Sequence, residues 1–206
     1  MSGLRERQKA DRDQRILKAA AELFRAAGYD GAKIEAIAKH AGVSTGTIYN
    51  YYENKGDLLV AIVSMEVNEI LAAGERLIDK PLPDTSTAVR SLFAIYLEHS
   101  LVYLSKEMWR HAMAISTQQP DSRFGRTYTA LDRRLAEQVC TLVERLQATG
   151  AVKPEVDSTA VGQMLFNTLN MMFNGFVKAE SMPLSELQEQ IGTQCRALLV
   201  EVANDA

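Results

Sequence analysis

No stretch of this sequence alternates polar and apolar residues long enough to make a half-buried strand. Apolar side chains recur instead at three- and four-residue spacing from Ile16 to Val202. That period belongs to amphipathic helices, so the expected fold class is all-α. Only 12 Gly and 5 Pro occur in 206 residues, too few for a turn-rich β-sandwich. With 47% hydrophobic and 24% charged residues, the chain has enough apolar material to fold rather than stay disordered.

The punctuation between apolar runs predicts roughly nine helices. The first spans Asp11 to Ala27, with Ile16, Ala20 and Leu23 on one face, Asp11 and Gln14 as a cap pair and Gly28 as its stop. Lys33 to Ala41 forms a short second helix stopped by Gly42. Ser44 offers a capping hydroxyl to a third, Thr45 to Tyr52. Asn54, with Asp57 three residues on, caps a fourth that runs to Ile78. After the break at Lys80-Pro-Leu-Pro, helical spacing resumes from Thr85 to Ile115, as two helices or one bent one. Thr127–Thr149, Asp157–Lys178 and Leu184–Val202 follow. This arrangement predicts a three-helix head over residues 1–55 and a larger helical body over 56–206.

Charge is distributed unevenly between these parts. Residues 1–60 carry 10 basic and 8 acidic side chains, and the rest 13 and 18. The first 18 residues alone hold six basic residues against three acidic ones. A basic end on an acidic body suits a nucleic-acid contact confined to that end. Met1 to Gln14 is charged and has no apolar centre, which predicts a cytoplasmic protein without a signal peptide. Two cysteines, Cys140 and Cys195, are too few for a disulfide framework and are expected as reduced core or interface thiols.

Ser158 to Val177 has no formal charge and is long enough to cross a bilayer. It also carries Gln163, Asn167, Asn170 and Asn174 in one stripe, and amides are costly in lipid. It is therefore expected to be buried on more than one side of a body helix. The last two helices are expected to pair with a second copy of the chain as a four-helix interface, with Leu165, Met172, Phe176, Leu187, Ile191, Cys195 and Leu198 as its residues.

The most informative segment is Lys33 to Lys55. Two short helices joined by Ala41-Gly42-Val43-Ser44 make a helix-turn-helix, with Ile37, Val43 and Ile48 closing its core. The second helix carries Thr45, Gly46, Thr47, Tyr49, Asn50 and Tyr51, which are small, polar or aromatic. Such side chains reach base edges, thymine methyls and phosphates, and Lys55 adds a cation at the next helix start. Gly42-Val-Ser-Thr-Gly46 also fits the nucleophile elbow of hydrolases, but that elbow needs a preceding strand, and Ser44 is better read as a cap. There is no His-Glu-x-x-His and no Gly-Lys-Ser/Thr, so neither a metal site nor a nucleotide-phosphate loop is expected, and no cofactor.

Residues 12–63 resemble the DNA-binding head of the TetR family of bacterial transcription regulators. The resemblance rests on Ile16-Leu17, Ala20, Leu23-Phe24, Gly28-Tyr29, the block Ala41-Gly-Val-Ser-Thr-Gly-Thr-Ile-Tyr-Asn-Tyr-Tyr52, Lys55 and Leu58-Leu59. It implies a homodimer whose third helices enter successive major grooves of a palindromic operator, and a body that holds a small molecule. It further implies that Thr45, Gly46, Tyr49 and Asn50 face base edges or nearby backbone, and that Thr47, Tyr51 and Lys55 take phosphates. Lys33 stands where the family often has Ser or Thr; it keeps a reach to phosphate but lacks the usual cap, and Glu35 beside it opposes a base contact.

The body offers the side chains of an apolar pocket: Phe93, Tyr96, Tyr103, Trp109, Met113, Phe124, Tyr128, Phe166 and Met171, with Arg110, His111, Asn167 and Asn170 to orient a polar end. The function expected is that of a dimeric repressor released from its operator by a small, largely apolar ligand. Two alternatives are a regulator answering to a protein partner and a helical enzyme using Ser44, His99 or His111.

Overall fold

The computed structural model describes residues 2–204, which form nine helices. These are α1 (Ser2–Gly31), α2 (Ile34–Ala41), α3 (Thr45–Tyr49), α4 (Lys55–Ile78), α5 (Thr85–His99), α6 (Lys106–Gln118), α7 (Arg123–Ala148), α8 (Ser158–Lys178) and α9 (Leu184–Val202). The all-helical fold expected from the periodicity is the fold observed. The β-type pairing among the described residues is one isolated bridge, Val152 with Ala203.

Local capping explains most helix starts. Asp57 N–H donates to Asn54 Oδ1 at 3.0 Å, and Glu53 N–H donates to Asp57 Oδ2 at 3.0 Å, a reciprocal cap that starts α4. Asp84 accepts from Thr87 N–H at the start of α5, and these bonds hold its carboxyl below the ordinary range. Ser105 and Asp157 cap α6 and α8 in the same way. The stretch from Thr85 resolves into two helices, α5 and α6, on either side of residues 100–105.

Several boundaries differ from those expected. α1 breaks at Gly28 (φ 75°, ψ 159°), its expected stop, but resumes to Gly31, and α7 begins at Arg123 rather than Thr127. α1 also begins at Ser2 rather than Asp11, so Asp11 and Gln14 lie within it and cap nothing. The reason is composition: Gly3 to Arg12 is dominated by Arg, Glu, Gln, Lys and Ala, all good helix formers. α3 stops at Tyr49 instead of Tyr52, with Asn50 as its C-cap.

The described residues divide into two compact units. The first comprises residues up to Glu66 and Val102–Tyr128, so α6 packs on α1 within it. Its core is Ile16, Ala20 and Phe24 of α1, Ile37 of α2, Ile48 of α3, Leu58, Leu59 and Ile62 of α4, and Leu104, Met108 and Ala112. The second comprises Val67–Leu101 and residues from Thr129 onward, with α9 packed between α5 and α8. There Leu92, Leu142, Val143, Leu165, Phe176, Leu187 and Ile191 are buried. No helix among the described residues is long and apolar enough to cross a membrane. Within α8, Val161, Leu165, Phe166, Leu169, Phe176 and Val177 are buried, while Gln163 and Asn167 lie on the exposed side.

Candidate nucleic-acid interface

The helix-turn-helix is built from backbone geometry upward. Gly42 takes a left-handed conformation, φ 66° and ψ 39°, which costs a residue without a β-carbon nothing. That turn lets Val43 N–H donate to Ala38 O at 3.0 Å, closing α2. Ser44 is extended, and its Oγ accepts from Thr47 N–H at 3.1 Å and lies 2.8 Å from Thr47 Oγ1. α3 has five residues, far below the ~12–15 that make an isolated helix stable in water. It is held by that cap and by Ile48, fully buried with Ile37.

This anchoring decides which side chains face outward. Ser44, Gly46, Tyr49 and Asn50 are exposed, and Thr45, Thr47 and Tyr51 are half-buried. Tyr49 is 52% exposed, so much of its ring and hydroxyl faces solvent. Tyr51 stacks on Tyr52 with ring centroids 6.2 Å apart, and Lys9 Nζ lies 5.9 Å from the Tyr51 centroid. Tyr52 is buried and donates its hydroxyl to Asp13 Oδ1 at 2.5 Å; burial first, and then that bond, push its phenol upward. Lys33 is exposed, extended, and makes no side-chain cap to α2.

Lys55 is placed differently from its neighbours in the expected set. Its ammonium donates to the carbonyls of Tyr29 (2.9 Å), Asp30 (3.0 Å) and Ala32 (3.2 Å). Its charge therefore closes the end of α1. Tyr29 is in turn gripped by α6: its N–H donates to Glu107 Oε1 at 3.3 Å and its ring lies 4.7 Å from the His111 ring.

The three histidines have carboxylate neighbours: His40 with Glu22 (2.6 Å), His99 with Glu69 (3.3 Å) and His111 with Glu107 (3.7 Å). Among the described residues no group of three or more His, Cys, Asp or Glu is arranged to hold a metal.

The residues expected around a ligand fall in both units. In the first, Trp109, Phe124 and Tyr128 are buried, with Phe124 and Tyr128 stacked at 6.4 Å, and Tyr103 and Met113 are half-exposed. In the second, Phe166 is buried, and Tyr96 donates its hydroxyl to Gln138 Oε1 at 2.9 Å. Gln138 passes the chain on to Leu71 O at 2.8 Å. Asn170 is half-buried and bonds Asp132, while Asn167 and Met171 are exposed, Met171 to 74%. Asp132 carries no sequence signal; only its burial, which pushes its carboxyl up to about 6, marks it. Phe93, expected in the pocket, lines an apolar groove of about 180 Å³ between α5 and α9 together with Val89, Leu97 and two residues expected between copies, Ile191 and Cys195.

Of the residues expected between copies, Leu165, Phe176, Leu187, Ile191 and Cys195 are already buried within one chain, and Met172 and Leu198 are half-exposed. The apolar side chains that α8 and α9 expose are Met164, Met171 and Val200. Both cysteines are free and buried.

The family described as bacterial regulatory proteins, tetR family, matches residues 16–62, the span that holds this interface. A fatty acid metabolism regulator protein of Bacillus subtilis (strain 168) is 27% identical over 172 residues, 80% of this chain and 82% of that protein. Among solved structures, a TetR transcription regulator from Haloarcula marismortui ATCC 43049 superposes with a TM-score of 0.73 at 18% identity, covering 95% of this chain and 100% of that one. The transcriptional regulator FadR from Bacillus subtilis, solved with stearoyl-CoA, superposes with a TM-score of 0.65 at 22% identity, over 91% and 97% of the two chains.

Proposed function

Because the chain belongs to the tetR family of bacterial regulatory proteins, a family of transcription factors rather than enzymes, we propose that it is a cytoplasmic, dimeric repressor released from a palindromic operator by a small, largely apolar ligand. The observation that carries the DNA reading is α3 itself. A capped, core-anchored helix of five residues presents Gly46, Tyr49 and Asn50 outward. Thr45, Gly46, Tyr49 and Asn50 meet base edges or adjacent backbone. Lys33, Thr47 and Tyr51 border the phosphates, and Lys55 serves by holding the end of α1 beside them.

Dimerisation through α8 and α9 would cover Met164, Met171 and Val200, which are otherwise costly to leave in water. The ligand class tested first is a long-chain acyl-CoA thioester, because a neighbour of the same fold was solved with stearoyl-CoA. Release requires that the ligand bind the DNA-free state more tightly; affinity equal in both states shifts nothing.

The test is selection from a pool of random duplexes, then titration of the winner with oleoyl-CoA and stearoyl-CoA. The expected winner is a palindrome whose half-sites lie one helical turn, about 34–36 Å, or a multiple apart. The thioesters are expected to lower affinity for it. Enrichment of no sequence would defeat the DNA reading. A palindrome indifferent to both thioesters would defeat the ligand class alone.

A further inference from the structure

α1 is longer than its packing needs. Its buried stripe, Ile16, Ala20 and Phe24, is fully covered by the head core. Followed upstream at three- and four-residue steps, the same face continues through Arg12 and Lys9, which are exposed. A stripe that changes from aliphatic to cationic where the core ends has no packing role there. It nevertheless stays beside the helix-turn-helix. Lys9 Nζ lies 5.9 Å from the Tyr51 ring, just past α3, and Tyr52 hydroxyl bonds Asp13. Arg15 Nη1 sits 3.9 Å from where a β-carbon on Gly42 would stand, beside the α2–α3 turn. Basic side chains of α1 thus bracket both ends of the segment that carries Thr45 to Asn50. Of the acids on this part of α1, Asp13 accepts from Tyr52 and Asp11 lies on the opposite face by helical register, while the exposed Glu6 stands one turn before Lys9 on its side.

We propose that the amino-terminal turns of α1 are a second DNA-contacting element, in which Lys9 and Arg12 grip the phosphate backbone flanking the groove that α3 enters, with Arg15 beside the turn. The proposal rests on the DNA reading above and deepens it: sequence is read by α3, and register along the duplex is fixed in part by α1. Cations placed this way contact phosphate without regard to base identity. The Lys9–Tyr51 contact keeps the ammonium aimed past the ring instead of free in solvent.

The test uses the full chain and the duplex selected by the wild-type protein. The double variant Lys9→Gln, Arg12→Gln keeps helix-forming side chains at both exposed positions, and an unchanged melting temperature checks the fold. Each phosphate contact contributes about 0.9 to the slope of log affinity against log salt, so losing two per subunit flattens the dimer's slope by roughly 3–4. Affinity at moderate salt should drop more than tenfold, the discrimination between operator and mutated operator should persist, and Lys9→Arg should behave as wild type. Trimming the base pairs outside the α3 footprint should weaken the wild type and leave the double variant unaffected. A double variant with wild-type slope and affinity would overturn the α1 contact while leaving the DNA reading intact. A wild-type protein that binds no selected duplex would overturn both.

Discussion

Lys55 Nζ donates to the carbonyl of Tyr29 at 2.9 Å and lies 5.1 Å from the centroid of the same residue's ring. One cation thereby fixes both the backbone and the side chain of the residue that α6 grips through Glu107 and His111. Within the first unit this joins the start of α4, the end of α1 and α6 at a single point, one turn after the segment that presents Tyr49 and Asn50.

Lys55→Met should therefore cost stability as well as DNA affinity. Three carbonyls lose a charged donor, and a hydrogen bond to a charged group contributes about 1.5–3 kcal/mol net. A net loss of ~2 kcal/mol in denaturant titration is expected. The slope of affinity against salt separates two roles. A positioning role lowers affinity at unchanged slope, whereas a direct phosphate contact flattens the slope by about 0.9 per subunit.

Ser44 is expected to separate folding from binding. Ser44→Ala removes the acceptor of Thr47 N–H and should cost about 1 kcal/mol in chemical unfolding. Ser44→Asp restores an acceptor and the stability. It also sets a negative charge at the α3 start, so operator affinity in an anisotropy titration should stay low.

Tyr49→Ala and Asn50→Ala remove exposed side chains, so melting temperatures should stay within about 2 °C of wild type. Operator affinity should fall by roughly 10–100-fold, corresponding to ~1–3 kcal/mol per contact. Full affinity in both variants at moderate salt would sink the assignment of α3 as the reading helix.

Gly162 is where α8 presses on α7. A β-carbon there would stand 2.5 Å from Cys140 Cα, a backbone atom that cannot rotate away. Gly162→Ala should destabilise by about 1–3 kcal/mol despite its better helix propensity, as read from the shift in unfolding midpoint.

Asp132 gives the body a pH signature. Burial raises its carboxyl to about 6 from an ordinary value of 3.8, against the lowering bond from Asn170. The folded state thus holds the proton more tightly than the unfolded chain does. Its contribution is fully present below pH 3.8 and is lost as pH rises through about 6. Asp132→Asn should accordingly be more stable than wild type at pH 7.5, by ~3 kcal/mol, with the gain vanishing near pH 4. A pH series of denaturant titrations on both proteins reads this directly.

What the sequence by itself determined is what short-range chemistry controls. The three- and four-residue apolar spacing sets the helices, Gly42 and Ser44 set the turn, and Asn54 with Asp57 starts α4. These interactions join residues within about one turn, so a linear reading finds them, and the exposed face of α3 follows from knowing that Ile48 points inward. The tertiary structure decided what depends on partners far along the chain. Lys55 reads as a free cation until carbonyls more than twenty residues away claim it. Asp132 reads as an ordinary surface acid until burial raises it. Leu165, Phe176, Leu187 and Ile191 satisfy an interface pattern, yet a helical stripe is the same whether it meets its own chain or another, and here their own chain buries them. Periodicity states that a face must be covered; only the packed structure states by what.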